Sequence, residues 1–253
     1  MSLSNTPIKA VIFDLGDTLL NFGRVDAGSL FLKAGRVSYE YLKSAGQPVG
    51  GFQRYLWGNL LGIRAQSFFS GLFGNDFDSL QMLKTYGLKK KYTLTDEQWE
   101  EVNRCWYQPL KELTKVECDL IETLTTLKDS GLKLGILSNT FVNACSLDAH
   151  LEELGILDFF PIRMYSYQYE FRKPNVKIFQ TAAEQIETPA ANILFVGDRI
   201  NKDVNGALKA GMRPVLIKAY TNAGKKRPDG TIEIEKVAEL PKIIKNINSG
   251  TII

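Results

Sequence analysis

Short apolar runs that end beside polar residues alternate with amphipathic stretches along most of this chain, and no other feature constrains the fold as strongly. The first run, Lys-Ala-Val-Ile-Phe-Asp, spans residues 9 to 14. Such a continuous apolar run is typical of a strand buried on both faces of a parallel sheet. Further strands are predicted at 132–137, 158–166, 193–196, 213–217 and 231–234, and helices at 118–130, 142–154, 175–186, 202–210 and 240–247. This order predicts an α/β fold with a doubly wound, Rossmann-like parallel sheet.

The alternation is interrupted between residues 21 and 115, where aromatic and leucine residues recur at helical spacing and no strand run is evident. We predict three to five helices here, one of them starting near Thr95 with Gln98 three residues later. The chain is therefore expected to form a core from 1–20 and 116–253 and a helical insertion from 21–115. The insertion's aromatic residues are interpreted as its own core, with substrate contacts as the alternative: Trp57, Phe68, Phe69, Phe73, Phe77, Trp99 and Trp106.

Composition excludes several classes of partner. The net charge of +3 is spread over 253 residues, which gives no basis for a nucleic-acid partner. No run approaches the roughly 20 apolar residues that cross a bilayer, so no membrane association is expected. The cysteines Cys105, Cys118 and Cys145 lack metal-site or redox-motif spacing and suit a reduced interior. We predict a cytoplasmic protein, either a monomer or a homodimer.

A single histidine, His150, limits the available chemistry. It rules out multi-histidine metal sites and disfavours mechanisms that pair a nucleophile with a histidine. His150 itself is expected to lie on or cap a helix surface. Acid and base chemistry must then come from carboxylates or lysine.

Candidate functional residues follow the predicted strands in order. Asp14 ends the first strand, Ser138-Asn139 follow the second, Lys173-Pro174 come later, and Gly197-Asp198 precede Asp203 after the strand at 193–196. Ligands of open α/β sheets bind at the carboxyl ends of strands, so these side chains are expected to converge.

Together these residues resemble the haloacid dehalogenase-like hydrolase superfamily, with matches from Ala10 to about Gly211. The insertion occupies the position of that superfamily's α-helical cap, which by resemblance would cover the site as a lid. The resemblance implies that Asp14 is a nucleophile that forms a covalent intermediate. It also implies that Ser138, Asn139 and Lys173 hold the phosphoryl group of a small phosphorylated substrate.

The same resemblance implies a Mg²⁺ site formed by Asp14, the Gly16 carbonyl, Asp198 and Asp203. Physical chemistry supports a cation at this place. Converging carboxylates repel one another by about 4 kcal/mol per close pair at an effective dielectric constant of 20. The bound metal would offset that repulsion.

The sequence departs from the superfamily's phosphatase pattern at Gly16, where an aspartate normally acts as general acid and base. Asp17 is one residue further along and is a candidate replacement. Neighbouring residues near a strand end point to different faces of the sheet. Asp17 can therefore act as the general acid and base only if its side chain points to the same side as the missing aspartate would. A positioned general acid or base typically increases the reaction rate by a factor of about 10² to 10⁴.

The leading hypothesis is a Mg²⁺-dependent phosphatase acting through an aspartyl-phosphate at Asp14. Phosphonoacetaldehyde hydrolases also have no aspartate at the position of Gly16, and they form a Schiff base with a lysine of the cap. Lys33 and Lys43 are candidates for that lysine. Dehalogenase-like chemistry is a second alternative, although Asp198 and Asp203 argue against it because dehalogenases do not need Mg²⁺. A third is a non-catalytic protein that binds a phosphorylated metabolite.

Overall fold

A six-stranded sheet forms the centre of the protein in the computed structural model, which describes residues 6–250. All neighbouring strands are parallel, and their order is β3-β2-β1-β4-β5-β6. The strands are β1 (Ala10–Phe13), β2 (Lys133–Ser138), β3 (Ile162–Tyr165), β4 (Ile193–Gly197), β5 (Arg213–Ile217) and β6 (Ile232–Ile234). The predicted α/β class with a doubly wound parallel sheet is confirmed.

Helices cover both faces of the sheet because its side chains alternate between them. Val11 and Phe13 of β1 belong to the larger apolar cluster, whereas Ala10 and Ile12 belong to the cluster on the opposite face. The helices are α1 (Ala27–Ser44), α2 (Phe52–Phe73), α3 (Ser79–Lys89), α4 (Asp96–Glu112), α5 (Leu120–Asp129), α6 (Ala144–Glu153), α7 (Val176–Gln185), α8 (Asn205–Lys209) and α9 (Leu240–Asn248). Helices α5, α6 and α9 pack on the larger cluster, and α7 and α8 on the other.

Two predicted elements differ from the structure. The strand expected over 158–166 is limited to β3, because a 3-10 turn at Leu157–Phe159 and then Pro161, which has no N–H to donate, come before it. The helix expected over 202–210 begins instead as a π-helical turn, Ile200–Val204, and continues as α8. π-helical turns are rare and are frequently found at functional sites.

Among the described residues, those between 21 and 115 contribute four helices, α1 to α4, and no strand to the sheet. The segments that enter and leave this interval pair at Asn21 and Lys115, which exchange two backbone hydrogen bonds of 2.9 and 2.8 Å. Helix α4 starts as predicted, with Thr95 as the N-cap of a capping box completed by Gln98. No described helix is long and apolar enough to cross a membrane.

The prediction that the insertion's aromatic residues form its core is wrong for four of them. Trp99 is buried and stacks on Tyr92, but exposed fractions are 57% for Trp57 and 70% for Phe68. Phe69 and Phe73 are also exposed. Helix α2 is apolar around much of its circumference, so helical spacing alone did not identify the face that packs inward.

His150 is a second correction, since it is buried rather than placed on a helix surface. Its Nδ1 lies 2.9 Å from the hydroxyl of Tyr107, which joins α6 to α4. Burial lowers the pKa of His150, and the positive charge of Lys111 acts in the same direction. The neutral imidazole is therefore the form that the folded protein favours.

A pH-dependent loss of stability is expected from His150. Its pKa is lower in the folded than in the unfolded protein, so the unfolded state binds more protons below about pH 6.5. The stability that neutral His150 contributes is complete above that pH and falls as the pH decreases. Urea unfolding of wild type and His150→Asn at pH 7.5 and 5 should show the larger decrease in wild type.

Tyr107→Phe is the matched control. It removes the hydrogen bond, worth about 1 kcal/mol, but keeps the titrating group. We expect a lower free energy of unfolding at both pH values with a decrease between them like that of wild type. Parallel decreases in wild type and His150→Asn would contradict the assignment.

Candidate active site

Three carboxylates meet at the carboxyl edge of the sheet. Asp14 directly follows β1, and Asp198 directly follows the neighbouring strand β4. Asp203 comes from the π-helical turn after β4. Each offers one oxygen, and these three atoms all lie within 4.8 Å of one another. Adjacent parallel strands place the first two side chains together, and the tight turn adds the third.

Lys173 is buried among these carboxylates, with a side chain only 1% exposed. Its Nζ lies 3.0 Å from Asp14 Oδ1 and 2.7 Å from Asp203 Oδ1. Burial alone would lower the pKa of Lys173, but the two carboxylates outweigh it and raise the pKa above its ordinary value. The ammonium group therefore stays charged and links two of the three acids.

Asp203 is held against the backbone of β4. Its Oδ2 accepts a hydrogen bond of 2.8 Å from the amide of Arg199. A Cβ on residue 197 would lie 2.5 Å from the Asp203 carboxyl carbon, so Gly197 is required for this close approach. Burial raises the pKa of Asp203, while the charge of Lys173 opposes that rise.

Asp198 is fixed by the loop that follows β5. The hydroxyl of Thr221 donates to its Oδ2, and Asn222 Nδ2 donates to its backbone oxygen over 2.8 Å. Burial raises the pKa of Asp198 to about 7, and the negative charge of Asp14 adds to this effect.

Thr221 and Asn222 were not among the residues predicted from the sequence. Their signal was available, because they follow a predicted strand at the same edge of the sheet as the acids. This position alone could not assign them to the site, because only the strand order shows that β5 lies beside β4.

Ser138 and Asn139 lie at the end of β2, on the other side of β1. Ser138 is buried at the carboxyl edge. The side-chain amide of Asn139 makes two hydrogen bonds to Lys173, donating to its carbonyl at 2.8 Å and accepting from its amide at 2.9 Å. The predicted phosphoryl-binding loops are thus tied together, with the Lys173–Pro174 peptide in the cis form.

Asp17 has a different environment from the three clustered acids. Its backbone is left-handed, with φ of 54°, and its Oδ1 accepts hydrogen bonds from the amides of Phe22 and Gly23 at 3.1 and 3.2 Å. The hydroxyl of Tyr220 donates to Oδ2 at 3.1 Å. These donors hold the Asp17 carboxylate on the loop after β1.

The space beside Gly16 is partly occupied by an aromatic ring. A Cβ at this position would lie 3.4 Å from Phe22 Cε2, which is an ordinary contact distance. Gly16 does not have a positive φ. A side chain can therefore start from residue 16 next to the Phe22 ring without backbone strain.

The three acids and Lys173 form a group suited to a divalent cation. Their formal charge is −2, and a pair of carboxylates about 4.8 Å apart repels by about 3.5 kcal/mol at an effective dielectric constant of 20. Asp198 Oδ1 is buried without a hydrogen-bond partner among the described residues. Such an oxygen needs a donor or a cation. Hard carboxylate oxygens suit Mg²⁺ or Ca²⁺.

Lys33 and Lys43, the candidates for Schiff-base chemistry, are both exposed on α1. A lysine that forms a Schiff base is activated by desolvation or by a neighbouring cation. The exposure of both residues gives the phosphonate-cleaving alternative no support.

Comparisons with known proteins agree with this architecture. The chain is 29% identical to a glyceraldehyde 3-phosphate phosphatase of Pyrococcus abyssi, over 96% of each chain. A second glyceraldehyde 3-phosphate phosphatase, from Methanopyrus kandleri, is 33% identical, but the match spans only about half of each protein, 51% of this chain and 56% of the relative.

A solved structure described as a HAD phosphatase, from Thermococcus onnurineus, has the same fold. It superposes with a TM-score of 0.58 at 24% identity and covers 94% of this chain and 98% of its own. The family model described as haloacid dehalogenase-like hydrolase matches residues 8–211, which include strands β1 to β4 and all the acids of the site. This chain therefore belongs to the haloacid dehalogenase-like hydrolases.

Proposed function

We propose that this hydrolase is a Mg²⁺-dependent phosphatase that cleaves a small phosphorylated metabolite through an aspartyl-phosphate at Asp14. One observation carries the proposal: the Lys173 ammonium is buried between Asp14 and Asp203, with Asp198 in the same cluster. A cationic group beside a strand-end carboxylate can hold both the nucleophile and an incoming phosphoryl dianion.

In the first step, a carboxylate oxygen of Asp14 attacks phosphorus, and the ester P–O bond breaks to release the alcohol. Lys173 and the hydroxyl of Ser138 offset charge on the phosphoryl oxygens. In the second step, water attacks the phosphorus of the aspartyl-phosphate, which releases phosphate and restores the Asp14 carboxylate. The leaving alkoxide must gain a proton, and the attacking water must lose one.

Asp14, the Gly16 carbonyl and Asp198 would hold Mg²⁺, with Asp203 supporting that group through Lys173 and Arg199. When bound, the ion supplies a Lewis acid that polarises phosphoryl oxygens and offsets the excess negative charge. The free oxygen of Asp198 and the net charge of the cluster support this assignment.

The substrate class rests on the relatives. Two are named glyceraldehyde 3-phosphate phosphatases, one of them matching nearly the whole chain. We propose a small phosphorylated metabolite of this kind as the substrate. We also propose a cytoplasmic location, since Cys105, Cys118 and Cys145 are free thiols, and a monomeric or homodimeric protein.

Replacement of the nucleophile tests the proposal most directly. Asp14→Asn should abolish release of phosphate from a panel of phosphorylated sugars, trioses and nucleotides, because the amide cannot form the aspartyl-phosphate. The measurement is phosphate release with and without Mg²⁺. If Asp14→Asn released phosphate as fast as wild type, the proposal would be refuted. If wild type itself released no phosphate from any of these esters, phosphonate cleavage or a binding role would be favoured.

Metal binding can be tested without activity. Mg²⁺ should raise the Tm of wild type, because a ligand that binds only the folded state stabilises it. Asp198→Asn should lose most of that increase, since it removes a carboxylate from the cluster. Differential scanning fluorimetry over a Mg²⁺ titration measures the effect. Asp158→Asn changes an exposed carboxylate and serves as the control, which should keep the wild-type response. A Tm increase in Asp198→Asn equal to that of wild type would place the ion elsewhere.

Restoring an aspartate at position 16 is expected to increase activity. If proton transfer limits turnover, Gly16→Asp should raise kcat by about 10², the lower end of the general acid-base contribution. Gly16→Ala controls for added bulk beside Phe22 and should not raise kcat.

Asp17→Asn distinguishes the source of the proton in wild type. A decrease in kcat of about 10² or more would assign acid-base catalysis to Asp17. Gly16→Asp should then restore turnover in the double variant. An unchanged kcat in Asp17→Asn and in Gly16→Asp would show that proton transfer does not limit the rate.

A further inference from the structure

Asp76 joins the helical insertion to the core. It lies between α2 and α3, and its side chain is only 10% exposed. One oxygen, Oδ1, accepts from Arg172 Nη1 and, at 3.2 Å, from Ser70 Oγ. The other, Oδ2, accepts a 2.5 Å hydrogen bond from Ser166 Oγ. Both carboxylate oxygens are therefore engaged, and two of the three partners belong to the core.

The two core partners lead directly to the loops of the candidate active site. Arg172 immediately precedes Lys173, whose ammonium contacts the nucleophile Asp14. Ser166 Oγ also accepts a 2.9 Å hydrogen bond from the amide of Thr140, two residues after Ser138. The Asp76 carboxylate is thus connected to both proposed phosphoryl-binding loops, to one through Arg172 and to the other through Ser166.

Neighbouring residues extend the same junction. The amide of Ser79 donates to the carbonyl of Phe141 at 2.9 Å, and the amide of Asn143 donates to Ser79 Oγ at 3.0 Å. Asn143 Nδ2 also donates to both oxygens of Asp78. Asp78 and Ser79 of the insertion are therefore hydrogen-bonded to the loop that follows β2.

The ion pair with Arg172 of the core distinguishes Asp76 from these neighbours. Burying a carboxylate is costly unless it is paired, and removing one partner of a buried ion pair leaves the other charge uncompensated. Without Asp76, the guanidinium beside Lys173 would lose its anionic partner. The free cation would then lie next to the lysine that must face Asp14 and Asp203.

From this arrangement we propose that Asp76 is a positioning residue for the hydrolase reaction. Its carboxylate sets the positions of Lys173 and of the loop after Ser138, so the phosphoryl-binding groups are in place only while residues 76–79 contact the core. This role rests on the proposed phosphatase function. It adds that the insertion helps to form the catalytic geometry through a charged contact.

The kinetic test compares Asp76→Asn with Asp96→Asn. Asp96 pairs with Lys84 inside the insertion, so the control removes an ion pair without touching the core. Because small misplacements of reacting groups cost up to about 10² in rate, we expect Asp76→Asn to lower kcat by about tenfold with little change in KM. Asp96→Asn should keep the wild-type kcat.

Arg172→Gln provides the second variant. If Asp76 acts through Arg172, the double variant Asp76→Asn/Arg172→Gln should lose no more kcat than the more impaired single variant. Independent, multiplicative losses would overturn the coupling. Wild-type kcat in Asp76→Asn would overturn the proposal itself.

Hydrogen exchange keeps the proposal testable even if the enzyme is not a phosphatase. The Thr140 amide donates to Ser166 Oγ, which Asp76 holds. Asp76→Asn and Arg172→Gln should each accelerate exchange of a peptide covering 139–143 relative to wild type and Asp96→Asn. Unchanged exchange in both variants would overturn the positioning role, and faster exchange without any ester hydrolysis would reject only the phosphatase assignment.

Discussion

The buried ammonium of Lys173 is the interaction on which the site depends. A lysine that is almost wholly excluded from water is unfavourable as a cation unless anions surround it, and Asp14 and Asp203 supply that environment. The dependence is mutual, because the three acids would repel one another without a cation. Asn139 fixes the backbone of Lys173 with two hydrogen bonds and so joins the loop after β2 to the loop that carries the lysine.

The parallel sheet explains why residues so far apart in sequence meet. Every strand presents its carboxyl end at one edge, and β1 lies centrally between β2 and β4. The insertion leaves the core at Asn21, a few residues after β1, and returns at Lys115, which pairs with Asn21, so its helices begin near the same edge. Contacts from residues 76–79 to the loops of that edge are a consequence of this connection.

Local patterns predicted most strands and helices, because burial on a strand and amphipathic spacing on a helix are encoded within a few neighbouring residues. Predictions failed where the outcome depends on distant partners. His150 is buried because Tyr107 of α4 packs against α6, and Trp57 is exposed because no described element covers that face of α2. The π-helical turn at 200–204 was also missed, since its apolar spacing resembles that of an ordinary helix start.

The sequence by itself determined the α/β class, because strand and helix patterns are encoded in neighbouring residues. It also predicted a helical stretch over 21–115 and, through the order of motifs and their family resemblance, the candidate site residues Asp14, Ser138, Lys173, Asp198 and Asp203. Only the tertiary structure decided that Lys173 lies between two acids, that Thr221 holds Asp198 and that Asp76 pairs with Arg172. The physical reason is that these contacts join segments up to about 160 residues apart, and their meeting depends on strand order and packing rather than on local propensity.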